Sequence, residues 1–139
     1  MVNSTFETIW RDISPFAVGF DRTFGTLEVL ANSRQTNYPP YNIRKVSDDQ
    51  YTIELAVAGF EEKDIDVELA GENLTIKGNR PKEAENGLLH QGLAARDFSK
   101  KFVLSDDMII KGAALSNGML YIGIERVIPE EKRPRKIKL

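Results

Sequence analysis

The chain has 139 residues, no cysteine and a formal net charge of -2. This length suits one domain with extensions, and the absence of thiols excludes disulfide bonds, thiol nucleophiles and thiolate metal sites. The weakly acidic charge argues against a general nucleic-acid binder, and with no membrane-spanning apolar run or signal-peptide layout we expect a soluble protein of the cytoplasm.

Residues 1–38 form an N-terminal arm that is rich in aromatic side chains. Their spacings of three and four predict short amphipathic helices, which Pro15, Gly19 and Gly25 should interrupt. So apolar an arm should not stay free in water as a monomer, so we expect assembly. The arm is either a mobile segment that buries its aromatic surface in partner subunits or an ordinary N-terminal helix packed on the core. The aromatic residues are Phe6, Trp10, Phe16, Phe20 and Phe24.

A polar linker at residues 31–40 is followed by short alternating segments. We expect strands at residues 41–46, 51–57, 65–69 and 74–78, and the first of these reads as an edge strand. In the second strand one face carries Tyr51, Ile53, Leu55 and Val57. Closely spaced strands with turn signals between them predict an antiparallel sandwich rather than a βαβ fold.

Residues 81–95 read as an excursion loop that is polar and glycine-rich at both ends. Its apolar island, Leu88 and Leu89, suggests a short strand in need of a partner edge. A local hairpin within one chain is the simpler alternative.

The clearest local signal is Asn117-Gly118, which lies between two alternating apolar runs. Both residues of such a two-residue hairpin turn need positive φ, which asparagine tolerates and glycine adopts freely. A period of two places each run on one face of a sheet. The first run is Ile109, Lys111, Ala113 and Leu115, and the second is Leu120, Ile122 and Ile124.

The tail, residues 129–139, is basic and contains two prolines, so it should remain solvated and extended. Ile137 and Leu139 are two residues apart and therefore share one side of an extended segment. An alternative is a disordered basic tail that touches RNA or acidic lipid, although no aromatic residue is present to stack on bases.

Nothing in the sequence supports catalysis or a cofactor. His90 is the only histidine, and no G-x-S-x-G, P-loop or dinucleotide-binding glycine pattern is present. The paired carboxylates in the turns lack calcium-loop spacing and read as solvated charges. We therefore expect no enzyme, no metal and no cofactor.

Several motifs, in the right order from about residue 39 to residue 139, resemble those of the small heat shock proteins (the Hsp20 family, with an α-crystallin domain). Residues 113–120 fit A-x-L-x-N-G-x-L, and residues 74–80 fit L-x-I-x-G-x-R. Residues 56–60 resemble an L-P-G-F connection with Ala58 in place of proline, and residues 96–104 resemble F-x-R-x-F with Lys100 in place of arginine. The sequence from Glu125 onward is similar to the bacterial inclusion-body-binding protein subgroup.

The resemblance implies an all-β, immunoglobulin-like antiparallel β-sandwich over residues 39–128, with a partly helical N-terminal arm and an extended C-terminal tail. It also implies a reciprocal dimer, in which residues 88–91 pair with residues 41–45 of the partner. Lysine keeps the charge of arginine but not its bidentate fork, which weakens the case for an inter-subunit ion pair at position 100. The residues assigned to this exchange are Tyr41, Ile43, Leu88, Leu89, Arg96 and Lys100.

The end of the tail resembles the family's I-x-I/L anchor, which docks in a groove between two edge strands of another dimer. Burying Ile137 and Leu139 yields roughly 3–6 kcal/mol before ordering costs. Many tails acting together therefore predict a large but exchangeable oligomer. The candidates to line the groove are Val67, Leu69, Ala113 and Leu115.

By resemblance the protein is an ATP-independent holdase that binds unfolding clients through its aromatic arm and hands them to ATP-driven chaperones. Its other partners are further copies of itself and a paralogous small heat shock protein, with neither nucleic acid nor membrane. Two alternatives remain: a non-chaperone adaptor that binds one defined protein, and a binder of nucleic acid or membrane surfaces that works through the tail.

Overall fold

The computed structural model describes residues 4–32, 37–80, 87–91, 96–129 and 133–139. The chain divides into two compact units, Met1–Thr36 and Asn37–Leu139, which are described separately. In the part that is described, no helix is long and apolar enough to cross a membrane.

Within residues 4–32, the first unit contains two helices, α1 (Ser4–Ile13) and α2 (Asp21–Asn32), joined through a 3₁₀ turn at Ser14–Phe16. Pro15 lies at the start of this turn, and Gly19 adopts a φ of 84° just before α2, so both interrupt the helical path as predicted. The prediction for Gly25 is wrong, because α2 runs through it to Asn32. A single glycine costs a helix only about 1 kcal/mol relative to alanine, which the remaining turns of α2 offset.

The described residues of the second unit form seven antiparallel strands in two sheets. One sheet has the order β1-β2-β7-β6 and the other has the order β3-β4-β5. This is the predicted all-β sandwich, with the first strand at a sheet edge as expected. The strands are β1 (Tyr41–Ser47), β2 (Gln50–Ala56), β3 (Ile65–Ala70), β4 (Asn73–Gly78), β5 (Phe98–Val103), β6 (Met108–Ser116) and β7 (Met119–Arg126).

The core lies between the facing surfaces of the two sheets. The alternation predicted for residues 51–57 is confirmed, since Ile53, Leu55 and Val57 are buried and Tyr51 packs against them. Apolar side chains that alternate along central strands exclude water from this layer, and their burial is the main source of its stability. The buried cluster consists of Ile53, Leu55, Val57, Phe60, Leu74, Ile76, Phe102, Leu104, Leu120, Ile122 and Ile124.

The β6–β7 hairpin has the predicted turn, with φ of 53° at Asn117 and 76° at Gly118. The single face predicted for Leu120, Ile122 and Ile124 of β7 is also confirmed, since all three belong to the core.

The single face predicted for β6 is wrong, because the register shifts between Ile110 and Gly112. The extra residue, Lys111, is a β-bulge that reverses the alternation of the strand. Ile109 and Lys111 therefore lie on the outer face, where Lys111 Nζ is 3.2 Å from Glu125 Oε2. Beyond the bulge, Ala113 and Leu115 pair with buried Ile122 and Leu120 and turn inward.

Candidate functional site

A groove opens along one side of the sandwich, where the edge strand β3 of one sheet faces the edge strand β6 of the other. Its volume is about 390 Å³. Residues of β6 beyond the bulge form one wall, because the bulge at Lys111 turns Ala113 and Leu115 toward this opening. We call this site the tail groove; it is lined by Glu62, Ile65, Val67, Ala113, Ala114, Leu115 and Leu120.

Three of the four residues proposed from sequence, Val67, Ala113 and Leu115, line the tail groove. Leu69 lies farther along β3, is 42% exposed, and is not among the lining residues. Ile65 was missed although it precedes Val67 by two residues, so the period of the strand would have included it. Glu62 was missed because it belongs to the 3₁₀ turn Glu62–Asp64 that leads into β3.

The proposed anchor residues of the tail are exposed. Residues 133–139 form no helix or strand, and Ile137 is 66% exposed while Leu139 is fully accessible. Neither side chain is buried in its own chain, so both are available to another surface. Basic residues surround them: Arg133, Arg135, Lys136 and Lys138.

The other free edge of the four-stranded sheet is β1, and all of its side chains are exposed. Tyr41 and Ile43 pair in register with buried Leu55 and Ile53, so they extend the apolar inner face beyond the core. On the outer face, Arg44 Nε is 3.1 Å from Glu54 Oε2. This hydrogen-bonded pair lowers the pKa of Glu54 and joins β1 to β2.

The excursion loop is described only at residues 87–91, and the flanking residues 81–86 and 92–95 lie outside the described part. Residues 87–91 form turns and bends, so neither the short strand nor a local hairpin is present there within one chain. Leu88 and Leu89 are both exposed.

Lys100 lies inside the sandwich and is 4% exposed. Its Nζ is 4.5 Å from the centre of the Tyr41 ring, and the Tyr41 and Phe102 rings meet edge to face at 5.1 Å. Desolvation lowers the pKa of the Lys100 amine. This lysine therefore joins β5 to the edge strand β1 within one subunit, a role that the sequence pattern did not indicate.

Arg96, the remaining residue assigned to strand exchange, is exposed and lies against Tyr38. Its guanidinium is 4.8 Å from the centre of the Tyr38 ring, and its backbone N–H donates to Tyr38 Oη at 3.1 Å. The contact fixes the chain where it enters β5, close to the segment that leads into β1.

The arm aromatics fall into two groups. Trp10 and Phe24 stack at 4.7 Å and join α1 to α2. Phe16 is 88% exposed at the turn between the helices, together with Phe20 and with Val18, which is 93% exposed and was missed. Phe6 lies in α1, but its side chain is outside the described part. An apolar slot of about 240 Å³ runs between the helices and is lined by Trp10, Ile13, Ala17, Phe20, Thr23, Phe24 and Leu27.

Several turn carboxylates have local partners. Asp64 accepts a hydrogen bond from the backbone of Glu61 at 2.9 Å, and Asp107 accepts one from Ser105 Oγ at 2.6 Å. Asp107 also pairs with Arg126 at 3.1 Å. In the described ranges, no three acidic or histidine side chains converge where they could hold a metal ion.

The sequence is similar to a known protein family along most of its length. The profile of the Hsp20/alpha crystallin family matches residues 43–139. Small heat shock protein IbpA from Pectobacterium carotovorum subsp. carotovorum is 40% identical over 140 aligned positions, which cover 100% of this chain and 99% of that protein. The similarity to IbpA therefore includes the arm and the tail.

Two solved structures share the sandwich. The small heat shock protein from Synechococcus phage S-ShM2 superposes with a TM-score of 0.58 at 30% identity, covering 73% of this chain and 99% of that one. A small heat-shock protein from Xylella fastidiosa, described as having a distinct high order structure, gives a TM-score of 0.62 at 25% identity, with coverage of 76% and 98%.

Proposed function

Because the chain belongs to the Hsp20/alpha crystallin family of small heat shock proteins, we propose that its aromatic arm is the part that holds unfolding proteins. The protein is a holdase chaperone: it binds unfolding proteins without ATP and limits their irreversible aggregation. We divide the chain into three parts: the arm at residues 1–38, the sandwich at 39–128 and the tail at 129–139. The acidic, cysteine-free composition suits work in the cytoplasm, where we place the protein.

The observation that carries the assignment of client binding is the exposure of Phe16, Val18 and Phe20. Apolar contacts need no fixed geometry, so this surface suits clients of many sequences. Hydrophobic association strengthens on warming from low temperature, which is the direction that a heat-responsive binder needs. Phe6, Trp10 and Phe24 complete the client-binding set.

Assembly begins, in this proposal, with a dimer. Leu88 and Leu89 of one subunit lie beside the β1 edge of the other, next to Tyr41 and Ile43. Added strands satisfy the open hydrogen-bonding groups of an edge strand, and all four side chains are exposed in the single chain. Arg96 and Lys100 support this surface from within each subunit.

Dimers then join through the tails, with Ile137 and Leu139 of one copy seated in the tail groove of another. The groove is open and has apolar side chains on both walls, as such an anchor requires. A paralogous small heat shock protein could share the same contacts. Release of clients belongs, in this proposal, to ATP-driven chaperones, a step that rests only on the resemblance to small heat shock proteins.

The experiment is light scattering from a heat-denaturing enzyme in ATP-free buffer, titrated with this protein. We expect the full chain to suppress scattering, and a variant with Phe16→Ser, Val18→Ser and Phe20→Ser to need several times more protein. The matched control carries Val127→Ser and Ile128→Ser, which removes exposed apolar side chains from the sandwich instead.

Three outcomes are informative. Loss of suppression only in the arm variant supports the proposal. Equal suppression by all variants moves client binding to the sandwich and contradicts the assignment to the arm. If the full chain suppresses scattering from none of several clients, the result favours the adaptor that binds one defined protein.

A further inference from the structure

The tail brings positive charge together with its apolar anchors. Residues 133–139 carry four cationic side chains and no acidic one. In an extended segment Lys136 and Lys138 point away from the side shared by Ile137 and Leu139. Their long aliphatic stems allow the ammonium groups to reach the rim of a groove that holds the anchors.

The rim of the tail groove on the β3 side carries the opposite charge. Glu62 lines the groove, and Glu68 is exposed on the outer side of the edge strand β3, because it alternates with Val67. Of the neighbouring acidic groups, Glu61 pairs with Lys63 at 3.2 Å, and Asp66 lies opposite Lys77 in the β3–β4 register. Within the described ranges no cation forms an ion pair with Glu62 or Glu68. On the β6 side, Lys111 is held by Glu125 on the outer face.

We propose that Glu62 and Glu68 recognise the basic residues of the tail of a second copy, so that tail docking depends on salt. The inference rests on the proposed function, which places the tail in this groove. The occupant is a tail from another copy, because the anchors of the chain's own tail are exposed.

The expected effect follows from screening. Exposed charges attract one another over about 10 Å at 0.1 M salt, and over about 3 Å at 1 M. Complementary charge mainly raises the rate of encounter and fixes register, while the anchors supply apolar burial. Raising salt should therefore weaken docking without abolishing it, and should shift the protein toward smaller assemblies.

The test uses the full chain with Ile137→Ser and Leu139→Ser, which leaves the tail groove free, and a fluorescent peptide with the sequence of residues 129–139. Fluorescence anisotropy gives the Kd at 50 and 500 mM NaCl. We expect salt to raise Kd about fivefold or more on the native rim, and less than about twofold when Glu62→Gln and Glu68→Gln are present. The matched control, Asp48→Asn with Asp49→Asn, removes the same charge from the β1–β2 turn and should retain the native salt response.

A charge swap is the second part of the test. A peptide with Lys136→Glu and Lys138→Glu should bind the native rim more weakly, and should regain affinity on a rim with Glu62→Lys and Glu68→Lys. A Kd that changes neither with salt nor with the charge of the rim would overturn this inference while leaving tail docking intact. Absence of binding at any salt would instead overturn tail docking, and this inference with it.

Discussion

At the scale of single residues, Gly78 makes room for an aromatic ring. It lies opposite Phe98 in the β4–β5 ladder, and a Cβ at this position would stand 2.8 Å from Phe98 Cζ. The ring cannot easily move away, because Phe60 and Tyr38 pack against it at centroid distances of 5.4 and 6.0 Å. The glycine of the L-x-I-x-G-x-R motif thus has a packing role.

We expect Gly78→Ala to lower the free energy of unfolding by about 1–3 kcal/mol, the usual cost of overpacking. Denaturation followed by circular dichroism, at one protein concentration, measures the loss. Gly112→Ala is the control, since no atom lies within 4 Å of a Cβ there. Equal losses in the two variants would show that strand propensity, and not the ring, sets the cost.

Burial of Lys100 predicts a dependence of stability on pH. Desolvation makes the pKa of its amine lower in the folded chain than the ordinary 10.5. Between these two values the unfolded chain binds more protons, so stability rises as pH increases through this interval. Below it, the folded chain bears the full cost of burying the charged amine.

Lys100→Met should remove this rise and should leave the sandwich at least as stable at neutral pH, because an apolar side chain has no charge to desolvate. Thermal midpoints between pH 7.5 and 10.5 test the prediction. Lys77→Met, which replaces an exposed lysine on β4, is the control and should keep the native profile. A lower midpoint for Lys100→Met at neutral pH would instead mean that the contact with Tyr41 outweighs desolvation.

At the scale of elements, the two helices of the arm are joined by the stack of Trp10 on Phe24. Such a pair contributes about 0.5–1.5 kcal/mol, so Phe24→Ala should raise the open fraction of the helix pair by up to about tenfold. Trp10 is the only tryptophan, so its emission reports the change directly. We expect a shift to longer wavelength and stronger acrylamide quenching.

Phe16→Ala is the matched control for this experiment, because Phe16 is exposed in the turn between the helices. It should leave the emission of Trp10 unchanged. Equal quenching in the native chain and in Phe24→Ala would contradict a role for the stack in holding α1 against α2.

The elements also show where sequence patterns reach their limit. Period-two alternation and the Asn117-Gly118 turn predicted the sandwich and its last hairpin because both signals are local. The bulge at Lys111 is different, since one extra residue is visible only against the register of β7. It decides that Ala113 and Leu115, rather than Ile109, face the tail groove. Likewise, burial of Lys100 depends on Tyr41 from a strand far away in the chain.

At the scale of the whole molecule, the exposed leucines of the excursion loop predict a dimer that two substitutions would weaken. Burying Leu88 and Leu89 against a partner is worth roughly 3–6 kcal/mol, so Leu88→Ser with Leu89→Ser should raise the dimer Kd at least about a hundredfold. Sedimentation velocity of diluted samples measures this Kd, in a chain that already carries Ile137→Ser and Leu139→Ser. Val127→Ser with Ile128→Ser is the control, and an unchanged dimer in both variants would argue against the exchange.

The buried cluster that runs from Ile53 to Ile124 has a consequence for how the protein can diverge. The residues to which we assign client binding lie before this stretch, and the tail anchors Ile137 and Leu139 lie after it. Substitutions in the arm or the tail leave the cluster unchanged, and surface changes away from a core typically alter stability by less than about 0.5 kcal/mol. Natural selection can therefore adjust the range of clients and the assembly partners while the same fold is inherited.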